Sequence, residues 1–196
     1  MPRRPRSISS RYPTNNSLQL YALGAIFLLP LSIGVVLVSN SASRSDDAYK
    51  ISHDIASMYA QGVDFAQSAN QNIALSVAEG DGIDIEGGKG VVILSKIRVV
   101  HPSDCASLGS GKCSNRGYAV VTERYVLGNR ALRSSSFGTP ANVDPASGKV
   151  RDWANDLSAR AVDFVSTLKP GEVTYAAECY LTSPESPHGI YSRTMF

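Results

Sequence analysis

Cysteine, histidine and tryptophan are scarce in this sequence: three, three and one among 196 residues. His53, His101 and His188 stand far apart, and none has a second histidine or a cysteine at the spacing of a metal motif. Gly-x-Ser-x-Gly is missing, so no nucleophile elbow is written into the chain. A phosphate loop fails too: around Gly111-Lys112 the first glycine position holds Ala106, and Cys113 stands where Ser or Thr belongs. No internal repeat occurs. The reading therefore expects no enzyme, with no catalytic, cofactor-binding or metal residues and no small-molecule substrate.

Charge of one sign is also lacking. Arg3, Arg4, Arg6 and Arg11 supply four of the 19 basic residues, so the rest carries 15 bases against 17 acids. A nucleic-acid partner would want a basic face on the folded part, and composition offers none. From Tyr12 to Ser43 there is no charged residue at all, and Leu18 to Val38 is almost wholly apolar. As a helix its 21 residues would span about 31 Å, the thickness of a bilayer's hydrocarbon core. The leading arginines and the absence of an acid before Asp46 place the N-terminus in the cytoplasm and the remainder outside. Ser41-Ala42-Ser43 is a small-x-small triplet that a signal peptidase accepts. The apolar run is longer than a signal core, which favours an uncleaved anchor.

Beyond the anchor, Ala48, Ile51, Ile55, Met58, Gly62, Ala66, Ala69, Ile73 and Val77 recur at steps of three and four. This predicts one helix from about Leu18 to Ala78, kinked at Pro30 within the membrane. After Met58 its stripe is expected to pack on the chain's own sheet; for Ser41 to Ile55 both that packing and a projecting rod that meets neighbours stay open. Gly80-Asp81-Gly82 and Gly87-Gly88-Lys89-Gly90 are joints, and Asp81, Asp84 and Glu86 between them do not fit an EF-hand.

Three β-type runs follow, at Val91 to Val100, Tyr118 to Leu127 and Glu172 to Thr182, with a short terminal strand from Ile190 to Phe196. In the third, Val173, Tyr175, Ala177, Cys179 and Leu181 alternate with Glu172, Thr174, Glu178 and Thr182, which predicts an apolar face and a solvated one. Gly128 to Lys149 is a polar excursion. Trp153, Leu157, Ala161, Val165 and Leu168 predict a helix over Val150 to Leu168, with Trp153 as a core plug. Cys105 and Cys113 flank a loop of small residues and suit a disulfide in an oxidising compartment. Cys105 with Cys179 is a less local pairing, and Cys179 otherwise reads as a buried free thiol.

The expected organisation is α+β: a cytoplasmic basic leader (1–17), a transmembrane helix (18–39), an extracytoplasmic amphipathic helix (40–79) packed on a small antiparallel sheet, and a β-rich head (80–196). Ala48 to Ala60, the Cys105 to Cys113 loop, Gly171-Glu-Val-Thr-Tyr-Ala-Ala-Glu-Cys-Tyr180 and Gly189-Ile-Tyr-Ser-Arg-Thr-Met-Phe196 give the chain its likeness to a family. It resembles type IV pilin-like proteins, and among them the TadE/TadG-type minor pseudopilins of tight-adherence (Flp) pilus systems. The resemblance implies a single-pass protein of the bacterial inner membrane that works through contacts with pilins and pilus assembly proteins. A cut after Gly24 would put Leu29 where pilin processing wants an acid, so processing there is not expected. Ala22, Gly24, Ala25 and Gly34 are the small anchor residues where helices would approach closely, and an exposed strand edge of the head is a second contact. A membrane-anchored binding or sensory domain is the alternative.

Overall fold

A computed structural model describes residues 39, 42–80, 88–107, 113–162, 168–183 and 186–196. The chain divides into two units, Met1–Asn40 and Ser41–Phe196, and the described residues from 42 onward belong to the second. The predicted leader and the predicted anchor, residue 39 apart, lie outside the described residues. No helix among the described residues is long and apolar enough to cross a membrane.

Helix α1 covers 42–60 and buries Ala48, Ile51, Ser52, Ile55, Ala56 and Tyr59, the stripe that a 3.6-residue period dictates. Within the stretch Ser41 to Ile55 the part from Ala48 on packs in the domain's own core, with Ala48, Ile51 and Ile55 fully buried, while residues 42–46 are exposed. The helix ends at Gly62, which is left-handed (φ +90°). The Gly62 N–H donates to Tyr59 O (3.1 Å) and the Val63 N–H to Met58 O (3.1 Å), the paired bonds of a Schellman cap. Met58 and Val63, the residues such a cap brings together, both pack on the core.

This corrects the expected unbroken helix over 40–79. A second helix, α2, starts afresh at Ser68 and runs to Gly80. The turn rephases the stripe: Phe65, Ala74 and Ala78 are buried, while Ile73 is 51% exposed.

The sheet contains β1 (Gly90–Val99), β2 (Ala119–Gly128), β3 (Val173–Ser183) and β4 (Ser186–Met195), all antiparallel, in the order β2-β1-β3-β4. One face carries Val92, Leu94, Ala177, Cys179 and Leu181 against the helices. In β2 the register slips, so that Lys96 faces Glu123 and Ile97 faces Val121, leaving Thr122 as the extra residue of a bulge. The bulge switches faces: Tyr125 and Leu127 join the helix-side cluster, whereas Val121 joins the cluster on the far side.

The far face is covered by the excursion after β2. Phe137, Val143, Val150, Trp153, Ala159 and Ala161 pack on Ile97, Val121 and Ala176. The predicted helix over Val150 to Leu168 is corrected here. Residues 151–155 form turns, Asp152 is left-handed (φ 54°), and a single 3-10 turn spans Leu157–Ala159; residues 163–167 lie outside the described residues. Polar residues explain the change, because their side chains compete with helical bonds. Asp156 accepts from the backbone N–H groups of Ser158 (2.9 Å) and Ala141 (2.8 Å), and Asn115 Nδ2 donates to the carbonyls of Trp153 (2.8 Å) and Asp156 (2.7 Å).

Candidate functional site

Where α1 ends, the chain opens a cavity of about 390 Å³ walled by Tyr59, Phe65, Lys96, Glu123, Tyr125 and Tyr175, with Lys149 also lining it. The walls follow from the local fold. The cap at Gly62 turns Phe65 back under Tyr59, and the β2 bulge delivers Glu123 and Tyr125 to the same face. Tyr59 is the hub, meeting Phe65, Tyr125 and Tyr175 edge-on at centroid distances of 5.7, 5.9 and 5.0 Å. Its hydroxyl donates to Glu123 Oε2 (3.1 Å), and Lys96 Nζ donates to Glu123 Oε1 (3.2 Å). A shallower recess of about 220 Å³ adjoins it, lined by Lys96, Arg98, Thr122, Glu123, Lys149 and Trp153 among others. The arrangement offers aromatic walls, a carboxylate held by two donors and the exposed Lys149 ammonium, a polar recess with apolar sides.

Burial pushes the Tyr59 phenol far above its ordinary range, and neighbouring Glu123 adds to the effect. Tyr125 is pushed up to about 12 by burial, then by Glu123 and Asp64. Desolvation alone lifts the fully buried Cys179 thiol to about 12. These groups stay protonated when folded but lose protons earlier when unfolded, so the unfolded chain binds fewer protons at alkaline pH and stability falls there. From ordinary values of 9.0 for the thiol and 10.0 for the phenol, the loss should begin near pH 9 and continue to about 12. Urea midpoints across this range, read beside phenolate absorbance, check the prediction. A midpoint flat to pH 11, or all tyrosines ionising together near 10, would contradict it.

A second polar constellation sits under the far face. Glu178 is 2% exposed, which corrects the expectation that it lies on a solvated side of β3. Its carboxylate accepts from the Ser136 N–H (2.9 Å), Ser136 Oγ (2.7 Å), the Tyr191 hydroxyl (2.7 Å) and Ser135 Oγ. Arg124 lies close by and donates to the carbonyls of Gly138 (3.3 Å) and Phe137 (3.5 Å). Burial lowers its guanidinium to about 10, against the favourable field of Glu178. Together these bonds clamp the excursion to the sheet. The available signal was the serine-rich excursion itself, which has to cover something.

Cys105 and Cys113 form a disulfide with a Cα separation of 5.6 Å, anchored by helix α3 (Pro102–Ser107). Beside it Asp104 accepts from Arg98 Nη2 (2.6 Å) and the His101 N–H (2.9 Å). Cys179 is free. His53 is partly exposed beside Tyr49 and Phe196, at centroid distances of 6.0 and 5.2 Å. Trp153 packs against the far-face cluster, with Arg98 5.7 Å from its ring. Among the described residues neither His53, His101 nor the disulfide borders the cavity. Ala22, Gly24, Ala25, Gly34, the 81–87 acids and Gly109 to Lys112 lie outside the described residues, as does the side chain of His188. Among the described residues no group of three or more His, Cys, Asp or Glu is placed to hold a metal. No family model matches the chain, and neither a curated protein nor a solved structure does.

Proposed function

We propose that the protein is a membrane-anchored minor pilin or pilus assembly protein of the tight-adherence type, acting through protein contacts. The observation that carries this reading is the burial of α1. A helix that follows the apolar 18–39 segment in sequence is fused along its apolar stripe to a small antiparallel sheet, with Ala48, Ile51 and Ile55 fully buried. Helix α1 and the sheet are thus one packed body, and a part that works through protein contacts needs such a stable head. The short disulfide corner at Cys105–Cys113 and the closing β3–β4 hairpin are in keeping with the same layout.

The test is genetic and structural together. Deleting the gene should abolish surface fibres, and the full chain should restore them. A chain in which Ile51 and Ile55 become Asp, uncoupling α1 from the sheet, should not. Normal fibres in the deletion strain would end the assembly reading.

The recess at Tyr59, Lys96 and Glu123 favours a second reading, an anchored domain that binds a small polar ligand. Under that reading Lys149→Glu and Tyr175→Ala would change a signalling or uptake phenotype and leave fibres intact.

A further inference from the structure

The two margins of the sheet differ. Beside β2, Val120 and Glu123 form bridges with Arg160 and Lys149, and the Val150 N–H donates to Thr122 O (2.8 Å), so that margin is occupied. Beside β4, no strand pairs on the outer side among the described residues. Tyr175 and Phe196 exchange both backbone bonds (2.9 Å each). Antiparallel alternation then turns the N–H and C=O groups of Tyr191, Arg193 and Met195 outward. The side chains of these three share one face of the strand, and all are exposed.

That face is also unbalanced in charge. The Arg133 guanidinium lies 4.0 Å from the Tyr191 ring and 5.6 Å from Tyr180, and that of Arg193 lies 5.4 Å from Phe137. Neither makes an ion pair among the described residues. Among the described residues the acid beside them is Glu178, which is buried and engaged by Ser135, Ser136 and Tyr191, with Arg124 next to it. A guanidinium stacked on a ring keeps its edge N–H groups free for a carboxylate.

We propose that the free edge of β4 takes up an extended acidic segment of a partner protein as a fifth strand, its alternate carboxylates meeting Arg193 and Arg133. The main chain would pair with Tyr191 and Arg193, and strand alternation would bring every second side chain onto the arginine face. Charge decides against a second copy as occupant. Two β4 strands paired about a two-fold would gather both Arg133–Arg193 sets on one face, and like charges across strands are destabilising. The inference does not rest on the assembly reading, since it concerns the chemistry of the segment bound and not the structure built from it.

The test uses full-length protein in detergent and a fluorescent peptide of about ten residues with Glu alternating with Val and Thr, beside a twin carrying Lys for Glu. The acidic peptide should bind at least about ten-fold more tightly than its twin, and salt should weaken it. N-methylation of alternate peptide amides should abolish binding. Arg133→Glu with Arg193→Glu should swap the preference to the lysine peptide, a change that a misfolded protein would not show. Equal binding of the two peptides, binding indifferent to N-methylation, or binding of neither would overturn the proposal. A homodimer in sedimentation that Arg193→Pro dissolves would assign the edge to a second copy and overturn it as well.

Discussion

Replacing Glu178 by Ala should cost about 3 to 5 kcal/mol of stability, a loss on the scale of breaking a buried charged network. The carboxylate is the common acceptor for Ser135 Oγ, both donors of Ser136 and the Tyr191 hydroxyl. Its removal takes the shared acceptor from these partly buried donors, and it strips the buried Arg124 of the negative charge that offsets its desolvation. Glu178→Gln keeps the shape and one carbonyl acceptor, so it should cost less, about 1 to 3 kcal/mol. The measurement is the urea midpoint of each variant beside Glu79→Gln, a change at an exposed helix position. The control should stay within about 0.5 kcal/mol. If Glu178→Ala behaves like the control, the residue faces solvent as strand alternation implied, and the excursion is not clamped to the sheet.

The second large effect is expected at Gly138, directly after the buried Phe137. Its φ is +83°, and an added Cβ would lie 2.5 Å from the carbonyl oxygen of Arg160 and 2.9 Å from that of Ser158. Both obstacles are backbone and cannot swing aside. The Ser158 carbonyl is also held by the Thr139 N–H (2.8 Å), and Gly138 O receives Arg124. Gly138→Ala should therefore combine left-handed strain with forced movement of the 158–160 turn, for about 2 to 4 kcal/mol in total. Gly117→Ala separates the two contributions. Gly117 has φ +78° but nothing within 4 Å of a new Cβ, so it should lose about 1 kcal/mol. Equal losses at the two glycines would mean that the excursion does not press on the 158–160 turn.

Strands were more legible than helices in this chain, for a physical reason. Runs such as Val91 to Val100 and Val173 to Leu181 combine β-branched residues with alternation, and all four predicted strands are present within a few residues of their expected limits. Helical spacing misled twice. Gly62 occupies a stripe position, and a missing side chain there does not disturb the apolar pattern even though it ends α1. Around Trp153 and Leu157 the spacing was coincidental: Leu157 is 59% exposed, and the intervening Asp and Asn residues hold turns. Glu178 was missed because alternation describes one strand, whereas its burial depends on an excursion that crosses the far face from some 40 residues earlier in the chain. The aromatic recess escaped notice for a similar reason. It needs the Gly62 cap and the Thr122 bulge together, and neither leaves a strong mark in composition.

The reading of the protein as an anchored assembly component depends on where the intact chain resides. Intact mass combined with membrane fractionation and crosslinking in the native cells reports cleavage, anchoring and association in one experiment. The account predicts a full-length chain in the inner membrane, crosslinked to pilus components. A chain shortened near Ser43 and recovered in the soluble fraction, with no pilus crosslinks, would contradict it.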